Sequence, residues 1–240
     1  MTEFKPDKAI VALFATTPSH QFVGTGFFID CGFLVTAQHV VDNNKSLLFG
    51  VEIADTHDPA QRRSQLQFKS ATVVAMDQSA DLAILTTSEY ICPCPLPIDT
   101  TPLLGIETAY CFEYSRSNGS STGNFYVESS TRVGNVVRYV DDKRTSPLFP
   151  PDSLELSFPA IKGASGAPIM SCRGKWAVIG IMKANAMYEL LPIQSIKVMD
   201  EIDNKPISEQ TTYYLPHGLA VNSKHLKTFI NKHMRQTAKQ

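Results

Sequence analysis

The chain has almost no net charge: 22 lysines and arginines face 23 aspartates and glutamates, a formal charge of -1 over 240 residues. No global field draws it to nucleic acid or to an anionic membrane surface, so neither is expected as a partner. Long apolar runs are missing too. No stretch reaches bilayer-spanning length, and Met1-Thr2-Glu3-Phe4-Lys5-Pro6-Asp7-Lys8 lacks the apolar segment of a secretory signal. The expectation is an unexported, cytoplasmic protein. Cysteine is sparse and odd in number: Cys31, Cys92, Cys94, Cys111 and Cys172 follow no framework spacing, which fits reduced thiols rather than disulfides. Cys92-x-Cys94 has no second ligand pair, and His20, His57, His225 and His233 have no metal-type partner spacing, so no metal and no cofactor are expected. Internal repeats and low-complexity tracts are absent as well.

What is present is a series of short strands. Segments 9–15, 22–29, 33–36, 47–53, 67–76 and 82–86 are apolar or alternating and of strand length, separated by turn residues, and six of them suffice for one barrel. Proline-rich Cys92-Pro93-Cys94-Pro95-Leu96-Pro97, continuing to Pro102, withholds backbone donors from any sheet and reads as a linker. A second series follows at 107–114, 124–129, 132–140, 154–158, 167–172, 176–184 and 211–221, the last broken near His217. Residues 187–210 fit no barrel strand and read as a long loop beside a cleft. From Asn222-Ser223 onward, Leu226, Phe229, Ile230 and Met234 recur at helical spacing behind a capping residue. Lys224, Lys227, Lys232, Arg235 and Lys239 form that helix's solvated face. The pattern predicts an all-β chain of two barrels closed by a C-terminal α-helix, with domains at 1–100 and 101–240.

Three motifs carry chemistry. Gly163-Ala164-Ser165-Gly166-Ala167-Pro168 places a serine in a turn whose small residues let the backbone bend sharply and aim its own amides at one oxyanion. Thr36-Ala37-Gln38-His39-Val40 lies far upstream, and Asp81-Leu82-Ala83-Ile84-Leu85 between the two. A serine hydroxyl needs an imidazole to take its proton, and the imidazole needs a carboxylate to hold its tautomer. Singly, each has an ordinary explanation: a glycine-rich turn, a core histidine, a strand-starting cap. Their joint order of His, Asp, Ser is one of the known arrangements of a serine triad. Asp77 is the rival carboxylate, but only Asp81 opens the Asp-Leu-Ala-x-Leu strand.

Thr-Ala-x-His-Val, Asp-Leu-Ala-x-Leu and Gly-x-Ser-Gly-x-Pro together resemble the trypsin-like serine peptidases of the chymotrypsin fold. They are nearest the branch of the high-temperature-requirement type and the bacterial glutamyl endopeptidases, over residues from about 10 to 221. The resemblance implies two six-stranded antiparallel β-barrels and a serine endopeptidase acting on a polypeptide substrate through an acyl-enzyme on Ser165. His39 is then general base and acid, Asp81 its orienting partner, and the amides of Gly163 and Ser165 the oxyanion hole. It also puts Pro159 at the base of the first specificity pocket, and Lys183, Ala184 and Asn185 on the edge segment that pairs with an extended substrate. With Pro159 there, and no acidic residue before it until Glu155, an arginine or lysine preference is disfavoured and a small or apolar side chain expected. Lys183 offers an alternative attraction for an acidic residue. Departures from the family pattern are Ala164, where secreted trypsins carry an aspartate that receives a freed N-terminus, and Ala167, where many relatives carry glycine. A PDZ-like extension is not expected, since only residues 222–240 follow Val221. Two other readings stay open: a catalytically silent binding module on the same fold, and a protease whose cleft is ordered by a protein activator.

Overall fold

A computed structural model describes residues 8–16, 21–42, 46–52, 66–103, 107–119, 125–140, 152–189, 194–199, 206–211 and 213–237. The chain builds β1 (Ile10–Ala15), β2 (Phe22–Phe28), β3 (Leu34–Ala37), α1 (Gln38–Val41), β4 (Ser46–Glu52), β5 (Leu66–Asp77) and β6 (Leu82–Thr86). It continues through β7 (Glu107–Glu113), β8 (Asn118–Gly119), β9 (Phe125–Tyr126), β10 (Ser130–Val140), β11 (Ser153–Leu156), β12 (Pro168–Cys172) and β13 (Trp176–Glu189). The last elements are β14 (Gln194–Met199), β15 (Pro206–Thr211), β16 (Tyr214–Asn222) and α2 (Ser223–Thr237). Strands β1-β2-β3-β6-β5-β4 close one antiparallel barrel and β10-β11-β16-β13-β12-β7 close a second. This is the all-β, two-barrel, helix-terminated architecture that the strand pattern predicts.

Side-chain alternation explains why two barrels stay together. Successive residues of a strand point to opposite faces. On β3 and β6, Leu34, Ala83 and Leu85 face the first barrel's interior with Leu13, Phe28, Leu47 and Phe49. Their alternates Val35, Leu82 and Ile84 join Ile10, Phe27, Met170, Val178 and Ile181 in a separate cluster that spans both barrels. The second barrel is filled by Ala109, Cys111, Val136, Leu154, Leu156, Ile169 and Ile179. Helix α2 adds Leu226, Phe229 and Ile230 to the spanning cluster. Asn222 caps that helix, its Oδ1 accepting the Lys224 amide at 2.8 Å, while Ser223 Oγ donates instead to Asp99 O at 2.6 Å. The proline-rich segment lies across both barrels, with Leu96 bridged to Ile29 and Ile98 to Val178.

Three expectations are corrected. Of the segment 124–129, Asn124 lies outside the described residues and the rest adds no strand to the second barrel, because Phe125–Tyr126 pairs with Asn118–Gly119 in a separate ladder. The last strand is unbroken at His217, which pairs with Ala186 in a register that runs without a shift from Ala184↔Leu219 to Glu189↔Tyr214. The segment read as a loop from Met187 contains the end of β13 and the β14–β15 hairpin.

Candidate active site

Strand pairing brings His39 to Asp81. β3 and β6 run antiparallel in the register Leu34↔Leu85 to Ala37↔Leu82, so the chain leaves β3 into α1 where Asp81 enters β6. The first amides of any helix lack intrahelical acceptors. Here Asp81 supplies them: its carbonyl accepts the Gln38 amide at 3.0 Å and its Oδ1 the His39 amide at 2.9 Å. The second carboxylate oxygen, Oδ2, lies 2.8 Å from His39 Nδ1. Asp81 adopts a left-handed backbone with φ 58, a conformation that aspartate tolerates better than most residues. With Nδ1 donating to Asp81, Nε2 carries the free lone pair.

The electrostatics follow from this geometry. Its hydrogen bond to Asp81 is the leading cause that lifts His39 above the ordinary imidazole value. Partial burial opposes the rise, the charges of Asp81 and Asp42 reinforce it, and Lys183 opposes it. The His39 side chain is 43% exposed and that of Asp81 13%, so the imidazole is open to solvent while its carboxylate is largely covered.

Asp77, the rival carboxylate, is occupied elsewhere. Its Oδ1 accepts the amides of Ser79 at 3.1 Å and Ala80 at 3.2 Å, closing the turn that leads into Asp81. Its Oδ2 lies 2.9 Å from His225 Nε2 on α2. Burial works against ionisation, but the bonds from His225, Ser79 and Ala80 hold Asp77 down to about 2.

Ser165 sits in a turn locked against the first barrel. Gly163 and Gly166 have φ of 93° and 82°, a region that side-chain-bearing residues rarely adopt. A Cβ on Gly166 would overlap Thr36 Oγ1 and Thr25 O and lie 2.9 Å from Ala37 N, two residues before His39. A Cβ on Gly24 would lie 2.8 Å from Val40 Cγ2 and 2.9 Å from Ser165 O. The serine turn is therefore in backbone contact with the segment that carries the histidine. Within it, Ala164 N donates to Ile161 O at 2.9 Å, Ala167 N to Ala164 O at 3.0 Å and Gly166 N to Met182 O at 2.9 Å. Among the described residues, the amides of Gly163 and Ser165 donate to nothing. No hydrogen bond joins the Ser165 hydroxyl to the His39 ring among the described residues.

The expected specificity residues lie beside this turn. Pro159 is half-buried and follows Phe158, whose carbonyl accepts the Gly218 amide at 2.8 Å. Lys183 falls at the irregularity between Met182 and Ala184 on β13. β12 pairs with β13 only as far as Ile181, and Lys183, Ala184 and Asn185 have no strand on that side among the described residues. The Asn185 amide group is already engaged: Oδ1 accepts Ala160 N and Nδ2 donates to Ala160 O, each at 2.7 Å. Its side chain is thus tied to the Ala160 backbone rather than free. Glu155, the acidic residue nearest in sequence, is spent on Arg138, Tyr188 and His217 in the second barrel.

Sequence reasoning missed Thr25. It is fully buried, and its amide donates to Ser165 O at 2.9 Å and its Oγ1 to Gly163 O at 2.9 Å. Its Oγ1 also accepts the Tyr114 amide at 3.1 Å and its carbonyl the Thr36 hydroxyl at 2.7 Å. The one available signal is Gly24-Thr25-Gly26, a polar residue between two glycines inside an apolar strand, which marks a close approach of another backbone. Among the described residues no His, Cys, Asp and Glu cluster could hold a metal ion, and no helix is long and apolar enough to cross a membrane.

Comparison with known proteins places this arrangement. The structure resembles the active form of the Rv3671c protease from M. tuberculosis, with a TM-score of 0.59 at 19% identity, covering 95% of this chain and 81% of that one. It also resembles the MamO protease domain from Magnetospirillum magneticum, with a TM-score of 0.58 at 15% identity over 93% and 96% of the two chains. A serine protease of a human pathogenic astrovirus is similar at a TM-score of 0.54 and 18% identity, over 92% and 91%. At these identities the likeness is one of fold. No curated protein sequence matches significantly. Residues 24–181, more than half of the chain, match the family described as the trypsin-like peptidase domain. The chain therefore belongs to the trypsin-like peptidase domain family.

Proposed function

We propose that the protein is a serine endopeptidase that hydrolyses polypeptides through an acyl-enzyme on Ser165. Ser165 Oγ attacks the scissile carbonyl carbon while its proton passes to His39 Nε2. The imidazolium that forms is stabilised by Asp81, which stays ionised. As the carbonyl oxygen gains charge, the unpaired amides of Gly163 and Ser165 receive it, each donor being worth about 3–4 kcal/mol. His39 returns the proton to the leaving amine, the carbon–nitrogen bond breaks, and the ester remains. Water then attacks the ester, giving its proton to His39, and Ser165 regains its own as the acid departs. The unpaired side of Lys183, Ala184 and Asn185 accepts an extended substrate as an added strand.

The observation that carries this reading is the two-point hold of Asp81 on His39, at 2.9 Å to the amide and 2.8 Å to Nδ1, beside a serine turn in backbone contact with the same segment. Cleavage of a peptide library by wild type and by Ser165→Ala tests it: a serine endopeptidase cuts and the variant does not. The lack of a hydrogen bond between the Ser165 hydroxyl and the His39 ring favours a second reading, in which a protein partner draws them together. Such bonds also tighten only on substrate binding in many enzymes. Cleavage that appears only after adding a partner distinguishes the two.

A further inference from the structure

We infer that Thr25, on the first barrel, is a positioning residue that fixes the oxyanion-binding amides of the second. The inference rests on the reading of Ser165 as nucleophile. Its basis is an alternation of peptide planes through the serine turn. The Gly163–Ala164 plane is held at both ends, its carbonyl by Thr25 Oγ1 at 2.9 Å and its amide by Ile161 O at 2.9 Å. The Ser165–Gly166 plane is held likewise, its carbonyl by Thr25 N at 2.9 Å and its amide by Met182 O at 2.9 Å. The Lys162–Gly163 plane before them and the Ala164–Ser165 plane between them, the latter held at its carbonyl by Ala167 N at 3.0 Å, carry the amides of Gly163 and Ser165, the two that donate to nothing among the described residues. One residue thus anchors the carbonyl end of both pinned planes, leaving the alternate amides turned the other way.

Thr25 is itself immobilised. It has no exposed surface, its Oγ1 accepts the Tyr114 amide at 3.1 Å, and its carbonyl receives the Thr36 hydroxyl at 2.7 Å. The Tyr114 bond directs the hydroxyl: since Oγ1 accepts from an amide, its proton is free to point at Gly163 O. The main-chain bond to Ser165 needs only an amide, which valine and serine keep, whereas the bond to Gly163 depends on the hydroxyl alone. Gly163, at φ 93°, has no side chain to hold its peptide by packing, so its carbonyl relies on the Thr25 hydroxyl and its plane's amide on Ile161 O.

Thr25→Val keeps the shape and removes the hydroxyl, and Thr25→Ser keeps the hydroxyl. In the valine variant kcat is expected to fall about 10²-fold, the usual effect of misplacing catalytic groups by about an ångström. KM stays within about threefold and the serine variant close to wild type, since only interactions made in the transition state are lost. A peptide boronate, whose adduct needs the oxyanion site, loses affinity with kcat. Equal kcat in all three proteins, or a serine variant as impaired as the valine one, overturns the inference. Exchange of the Ala164 amide is followed on the same proteins and needs no turnover. It accelerates at least about tenfold in the valine variant and not in the serine variant if the anchor is real, because an amide opens as its bonding network does. Unchanged exchange overturns the anchor even if the protein proves inactive, and wild-type inactivity with altered exchange overturns the nucleophile reading alone. If the valine variant does not fold, wild-type NMR decides: a slowly exchanging Thr25 hydroxyl proton close to Gly163 supports the anchor, and its absence contradicts it.

Discussion

Asp81 grips His39 at two points, accepting the backbone amide with one carboxylate oxygen and facing ring Nδ1 with the other at 2.8 Å. The same carboxylate that orients the ring therefore also caps the short helix that carries it. This coupling makes the position of the imidazole a property of the backbone, not only of a side-chain rotamer.

The pH dependence follows from that grip. His39 is raised above the ordinary imidazole value, chiefly by the hydrogen bond to Asp81. Because the general base must be neutral, kcat/KM is expected to rise with pH with a midpoint above about 6.5. The sign for stability is opposite: a raised folded pKa contributes below the unfolded value, and the contribution is lost as pH climbs through the folded one. Asp81→Asn is expected to bring the His39 titration down toward its ordinary value and to lower kcat about 10⁴-fold. NMR titration of the ring and a pH–rate profile check both.

Gly166→Ala tests the seam between the barrels. The new Cβ would overlap Thr36 Oγ1 and Thr25 O at a φ of 82°. Backbone strain and overpacking together predict a loss of about 2–5 kcal/mol, read by denaturant unfolding. Wild-type stability in this variant would mean that the turn does not lie against β2 and β3 as described.

Asn185 is expected to act through Ala160. Asn185→Ala removes two hydrogen bonds worth about 1 kcal/mol each, loosening the loop that leads to Ser165 and raising KM about 5–30-fold. Asn185→Asp is expected to be no better, since its carboxylate cannot donate to Ala160 O. Steady-state kinetics on one peptide substrate separate these outcomes from a loss in kcat.

The Asp77–His225 contact ties α2 to the first barrel at 2.9 Å. Asp77 is held down to about 2, so its contribution is present above the unfolded aspartate range and is lost as pH falls from about 4 toward 2. Asp77→Ala, which also opens the turn at Ser79, is expected to lower stability by about 1–2 kcal/mol at neutral pH, or about 2–8 °C in Tm, measured by thermal unfolding. The difference from wild type narrows in acid.

The barrel strands were legible because buried sheet faces impose a period of two. β6 opens at Leu82 after Asp81, and β7 alternates Ala109, Cys111 and Glu113 inward. The segment 124–129 misled because Phe125, Tyr126 and Val127 have high strand propensity, whereas barrel membership depends on which edge is unfilled. His217 was mistaken for a break because a polar residue in an apolar strand looks unpaired until Glu155 appears 2.6 Å from its ring. Choosing Asp81 over Asp77 was decidable from the strand motif, but what Asp77 does instead needed α2, 148 residues away. For Thr25 the flanking glycines signal a close approach, but not of what. Its Oγ1 meets Gly163 across 138 residues, and no local pattern records a contact of that separation.

The central claim is that Ser165 is a nucleophile activated by His39. A fluorophosphonate probe followed by mass spectrometry of the digested protein tests it most directly. The account predicts one phosphonate adduct, on the peptide containing Ser165, lost in Ser165→Ala and strongly slowed in His39→Ala while both variants remain folded. An adduct on another residue, or labelling of folded Ser165→Ala at the wild-type rate, would contradict it.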